Sequence, residues 1–235
     1  MLFRKEDQLL RPRRTVARRF RLGRLFQKLT TVADTQLRED SAAARLCVLH
    51  EDLRIETTGL FMPRPGELGR NWISERFDAA GHHCRELYFL RKIVNTIDEL
   101  GCAIIDFDKT TAGQRLRTHE GWRMAVEYFR AKREYWRTIR NDIGGHFGAR
   151  ASRKAMCEID QDVSTSIEFR EFSGGSVEFV LCFGAEIAAA ALLAGLPGKT
   201  KEESVHLLMA EVNEAREKAA LGLECFINYH FFSSW

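Results

Sequence analysis

Between Trp136 and Arg150 the chain reads WRTIRNDIGGHFGAR. Arg140 is a permanent cation whose planar fork of donors matches phosphate oxygens. His146 carries the side chain that titrates nearest neutral pH, so it can take or give a proton. Asn141 can fix an imidazole tautomer or touch a phosphate through its amide. Gly144 and Gly145 let the backbone approach a ligand closely and present N–H groups to an anion. Cleavage of RNA needs these parts. A base assists attack of the 2′-hydroxyl on the adjacent phosphorus, a cation stabilises the crowded oxyanion, and an acid protonates the leaving 5′-oxygen. No metal is required. The same residues have a plainer use, in which Gly144 ends a helix, Arg140 is a cation favoured by the last turn, and His146 lies on the surface.

These residues must be held by helices. Asp34 to Glu56 reads as a helix, with Leu37, Ala44, Val48 and Ile55 near one face. Gly59, Pro63, Pro65, Gly66 and Gly69 make 57–71 a loop, and Ser74 can cap the helix that follows to about Phe107. Leu87, Leu90, Val94, Ile97 and Ile104 form its apolar face. After a break at Thr110 to Gly113, a third long helix is predicted to about Asp142. Trp122, Val126, Phe129, Tyr135, Trp136 and Ile139 are spaced in it for burial. Aromatics among basic positions can also stack nucleobases, although such a stripe is more often core.

Beyond Gly148 the pattern changes. DVSTSIEFREFSGGSVEFVLCF alternates on both sides of Ser173-Gly174-Gly175-Ser176, which predicts a β-hairpin. A short helix closed by Gly195, Pro197 and Gly198 follows, and Thr200 caps a last helix to about Phe231. The apolar run Val177 to Leu196 is long enough for a bilayer, but Glu178 and Glu186 are costly there, so it reads as protein core.

Composition sets wider limits. The chain has 235 residues, 45% hydrophobic and 29% charged, which suits one domain, or one domain with appendages, and a real core. The net charge of +3 hides an asymmetry. Residues 1–28 hold ten Lys or Arg against Glu6 and Asp7, so this arm is near +8 and the remainder near −5. Such an arm suits an anionic polymer or an anionic membrane surface, with Arg13, Arg14, Arg18 and Arg19 the candidate RNA contacts. A solvated tail, an upstream extension or a transit peptide would also account for it. Arg4, Lys5, Glu6 and Asp7 leave no apolar segment for a secretory leader. The six cysteines form no CxxC pair and read as buried small hydrophobes in a reducing compartment. His82, His83 and Cys84 are adjacent, and adjacent helical residues diverge, so no metal site is expected. No P-loop, GxSxG or HExxH motif is present, and no cofactor is expected.

The pattern Arg140-Asn141-x4-His146 resembles the signature of HEPN domains (higher eukaryotes and prokaryotes nucleotide-binding). That signature is Arg, four to six residues, then His, with a polar residue following the Arg at the end of a long helix. The likeness covers about Asp34 to Gly148. It implies a mainly α fold: a HEPN-like helical bundle, here with a C-terminal β-hairpin and two further helices. The domain plan would be a basic arm over 1–33, the HEPN-like core over 34–148, and the hairpin and helices packed on it over 149–235.

The resemblance also implies a metal-independent endoribonuclease of toxin–antitoxin or defence type, cytoplasmic and without membrane attachment. Its partners would be RNA, a second copy of the chain, and an antitoxin or nucleotidyltransferase. Arg140 would orient and stabilise the phosphate, Asn141 would support it, and His146 would be the acid–base residue. Two copies would complete one cleft on the two-fold axis. The Tyr that some toxins carry two residues after the His is Gly148 here, so its modification is not carried over. The alternative is a non-catalytic HEPN-like nucleotide- or RNA-binding scaffold.

Overall fold

The computed structural model describes residues 34–61, 75–143, 153, 155–157, 167–171, 177–193, 196 and 200–232. The basic arm, the Ser74 cap, the 172–176 turn and His146 lie outside these residues. The described residues are mainly helical and form a bundle. Its elements are α1 (Asp34–Leu60), α2 (Glu75–Phe107), α3 (Thr111–Leu116), α4 (Glu120–Ala131) and α5 (Arg133–Ile143). Strands β1 (Ile167–Glu171) and β2 (Val177–Leu181) come next, then α6 (Cys182–Leu193) and α7 (Lys201–Ile227).

Helix α2 is the axis of the bundle. Its 33 residues span about 50 Å, and α1, α4, α5, α6 and α7 all pack on it. Leu90, Val94, Ile97 and Ile104 lie in the core as their spacing predicts, and Leu87 is half-buried. The principal core joins this face to Trp122, Phe129, Trp136, Leu208, Val212 and Phe226. Each such side chain, fully buried, stabilises the fold by roughly 1.5–3 kcal/mol. Trp122, Phe129 and Trp136 are therefore core and unavailable for stacking on nucleobases. The apolar face of α7 belongs to the same core as 34–143.

Helix α1 departs from its expected face and its expected end. On α1 the buried face is Ala43, Leu46 and Leu53, whereas Val48 is 60% and Ile55 52% exposed. Both sets repeat at helical spacing, about 200° apart around the axis, and contact with α2 selects between them. The helix also runs four residues past Glu56, through Thr57 and Thr58 to Leu60.

The predicted third long helix is three pieces. Thr110 caps α3, its hydroxyl accepting from the Gly113 N–H at 3.1 Å and donating to the Phe107 carbonyl at 2.8 Å. A Cβ on Gly113 would meet that carbonyl oxygen at 2.0 Å, so only glycine fits there. The chain turns again at Thr118 and His119 before α4. At Lys132 the break is slight. Its N–H still bonds Tyr128 and its carbonyl accepts from Trp136, while its Nζ reaches Glu211 on α7 at 2.8 Å.

The folding-back after α2 is fixed by Asp108, which is fully buried. Its carboxylate accepts from Arg117 Nε at 2.9 Å, Arg130 Nη2 at 2.7 Å and Trp122 Nε1 at 3.1 Å. Helices α4 and α7 then cross closely: a Cβ on Gly222 would lie 2.6 Å from that of Ala125.

The apolar run from Val177 divides between β2 and α6. β1 and β2 pair antiparallel, with Phe169 opposite Phe179. Among the described residues no helix is long and apolar enough to cross a membrane. Ala190 and Ala191 of α6 pack with Ala155 in a small second cluster. Thr200 caps α7 as predicted, accepting from the Glu203 N–H at 3.1 Å, and a π-helical turn over Asn228–Phe232 ends it.

Candidate functional site

Helix α5 directs Trp136 and Ile139 into the core, leaving them 1% and 6% exposed. Arg140, one residue on, falls at the border of that face, with 40% of its side chain exposed. It leans onto α2. Its Nε donates to Asn95 Oδ1 at 3.3 Å. Its Nη1 lies 3.3 Å from Asp98 Oδ2, and its Nη2 3.1 Å from Glu99 Oε1. The other Glu99 oxygen accepts from Arg45 Nη2 of α1 at 2.6 Å, and Arg45 also reaches Asp106 at 3.6 Å. Glu99 thus ties two arginines from different helices to the central one.

The acid that answers Arg140 is not comfortable there. Burial pushes the Asp98 carboxyl above its ordinary value and Glu99 pushes the same way; Arg140 pulls it down without prevailing. Arg140 is therefore held in a fixed orientation by three neighbours while its side chain stays partly exposed.

Asn141 occupies the same last turn of α5 and is exposed. Gly144, Gly145 and His146 lie outside the described residues, as do Arg13, Arg14, Arg18 and Arg19. Of the predicted catalytic set, Arg140 and Asn141, neighbours in sequence, fall among the described residues. Asn95, Asp98, Glu99 and Arg45 were missed by sequence reasoning. One signal was there: Asp98 stands four residues after Val94, a position at which the α2 pattern asks for an apolar residue.

Among the described residues no group of three or more His, Cys, Asp or Glu is arranged to hold a metal ion. His82 is buried with Nδ1 3.3 Å from Glu86 on the same helix, a local pair. Cys47, Cys84, Cys102 and Cys225 are half-buried free thiols, and Cys157 is an exposed one. No protein-family model, curated protein or solved structure matches this chain.

Proposed function

We propose that the chain is a HEPN-like, metal-independent endoribonuclease whose active groups are Arg140, Asn141 and His146. The fold this reading takes is a HEPN-like bundle with a C-terminal hairpin. The observation that carries it is the state of Arg140. The guanidinium sits on the last turn before the His146 segment, aimed by Asn95, Asp98 and Glu99, and partly open to solvent. A preset cation loses little freedom on meeting a phosphate and acts best on charge that develops in the transition state.

In the reaction, His146 removes the proton of the 2′-hydroxyl. The 2′-oxygen forms a bond to phosphorus, the bond from phosphorus to the 5′-oxygen breaks, and an imidazolium protonates that leaving oxygen. Arg140 stabilises the negative charge on the phosphoryl oxygens, with the Asn141 amide in support. The products are a 2′,3′-cyclic phosphate and a 5′-hydroxyl. A homodimer supplies both imidazoles at a shared cleft, and the setting is a cytoplasmic toxin or defence protein with an antitoxin or nucleotidyltransferase partner. Incubation with total RNA in EDTA tests the reading. The wild-type chain degrades RNA and His146→Ala does not; intact RNA with a folded wild-type dimer refutes it.

A second reading has an observation of its own. Asp98 and Glu99 already answer the charge of Arg140, which suits a non-catalytic scaffold that binds RNA or nucleotide through other residues. It predicts RNA affinity without turnover, unchanged in His146→Ala.

A further inference from the structure

Helices α1 and α7 both flank α2, and between them opens a cleft of about 740 Å³ lined by residues of α1, α7 and Asn228, which follows α7. That size is in the range of small-molecule sites. Neither Arg140 nor any residue of its network lines it. Leu53, Leu223 and Ile227 give it an apolar wall.

The polar groups are unevenly satisfied. Arg54 is taken, since its Nε and Nη2 both donate to Glu51, at 2.9 and 2.5 Å. Arg216 is different. Its partners are neutral: the Asn213 Oδ1, at 3.4 Å from Nη1, and the Phe61 ring, whose centroid lies 5.9 Å from the guanidinium carbon. No carboxylate lies within ion-pair reach of it among the described residues, and Glu217 acts only at longer range. Burial draws its pKa down, the mark of a cation short of counter-charge. Thr57 adds a hydroxyl that lines the cleft, is buried at the oxygen, and has no hydrogen-bond partner. An unpaired buried hydroxyl costs free energy until something bonds to it.

We propose that this cleft binds a small organic anion with an apolar body. The anionic headgroup meets Arg216, the Thr57 side chain turns its buried hydroxyl toward the cleft to bond a polar atom of the ligand, and the apolar body lies against Leu53, Leu223 and Ile227. Glu217 and Glu224 also line the cleft, so the anionic group is drawn to Arg216 rather than to the rest of the wall. Phosphate monoesters and carboxylates share this headgroup chemistry. The inference stands apart from the ribonuclease reading and survives its failure.

Calorimetric titration of the full chain with adenosine 5′-monophosphate, adenosine, decanoate and inorganic phosphate tests it. Saturable binding of the monophosphate or of decanoate is expected, and whichever binds identifies the headgroup. Adenosine or inorganic phosphate alone should bind at least about tenfold more weakly. Arg216→Gln should cost about 10- to 100-fold in affinity, as expected for losing a charged hydrogen bond, and Arg216→Lys should recover part of it. Thr57→Val keeps the shape and removes the hydroxyl. It should leave the ligand-free thermal midpoint unchanged or higher while weakening the ligand several-fold. No binding of either anion to the wild-type chain overturns the proposal. So does unchanged affinity in Arg216→Gln and Thr57→Val, or inorganic phosphate binding as tightly as the monophosphate.

Discussion

Asp98 and Asp108 both meet arginines, and they are held in opposite ways. Asp108 has no exposed surface and is gripped by Arg117, Arg130 and Trp122. Burial pushes its carboxyl up, but the bonds from Arg117 and Trp122 and the charges of Arg117 and Arg130 outweigh it, and its pKa ends below the ordinary value. Asp98 is almost as buried, and burial wins: its pKa ends above the ordinary value despite Arg140. The bond lengths agree, with arginine nitrogens 2.9 Å or less from Asp108 and 3.3 Å from Asp98. The first cluster spends its arginines on holding α2, α3 and α4 together. The second holds Arg140 against α2 through Asn95, Asp98 and Glu99. Similar residue types thus lock a turn at one end of α2 and orient a half-exposed arginine at another point along it.

Breaking the tighter cluster should have the largest effect. Asp108→Ala is expected to destabilise the fold by about 3 kcal/mol, because it strips a buried acceptor from two arginines and an indole. Denaturant unfolding would show it, and a shift under about 1 kcal/mol would mean that the cluster is not a linchpin. Gly222→Val should come next, at about 1–3 kcal/mol, since the new side chain meets Ala125 where α4 and α7 cross.

The Asp98 cluster should respond less, and with the opposite dependence on pH. A raised folded pKa means that the folded state binds the proton more tightly, so Asp98 costs stability at neutral pH. That cost is relieved as pH falls toward the ordinary aspartate value. Asp108, with its depressed pKa, contributes stability above the ordinary value, and the contribution is lost as pH falls through its folded pKa. Asp98→Asn should change neutral stability by less than about 1 kcal/mol. It should also flatten the pH profile just above about pH 4 while leaving the acid limb in place. Unfolding midpoints measured against pH in both chains would separate the two aspartates.

Much of this architecture was legible beforehand. The apolar face of α2, the burial of Trp122 and Trp136, the break at Thr110 and the Thr200 cap follow from spacing and side-chain chemistry alone. The face of α1 did not, because Val48 and Ile55 repeat as regularly as Leu46 and Leu53, and the packing partner chooses. The breaks between α3, α4 and α5 were hidden for a related reason. Asp108 looks like a solvated acid beside a turn, and its partners lie 9, 14 and 22 residues ahead, at separations no local pattern encodes. At the candidate site, Arg140 and Asn141 were identifiable from their types and spacing. The amide and carboxylates that aim Arg140 were not, since they come from a helix 41 to 45 residues earlier.

The proposal that Arg140 is poised for a phosphate rather than used to hold the fold is tested by measuring thermal stability and RNA cleavage in EDTA on the same preparation of Arg140→Ala. Little change in thermal midpoint with a loss of at least about 100-fold in the cleavage rate is expected, as for removal of one oxyanion-stabilising donor. Cleavage that persists in the folded variant, or activity that falls only as far as the fold itself is lost, would contradict it.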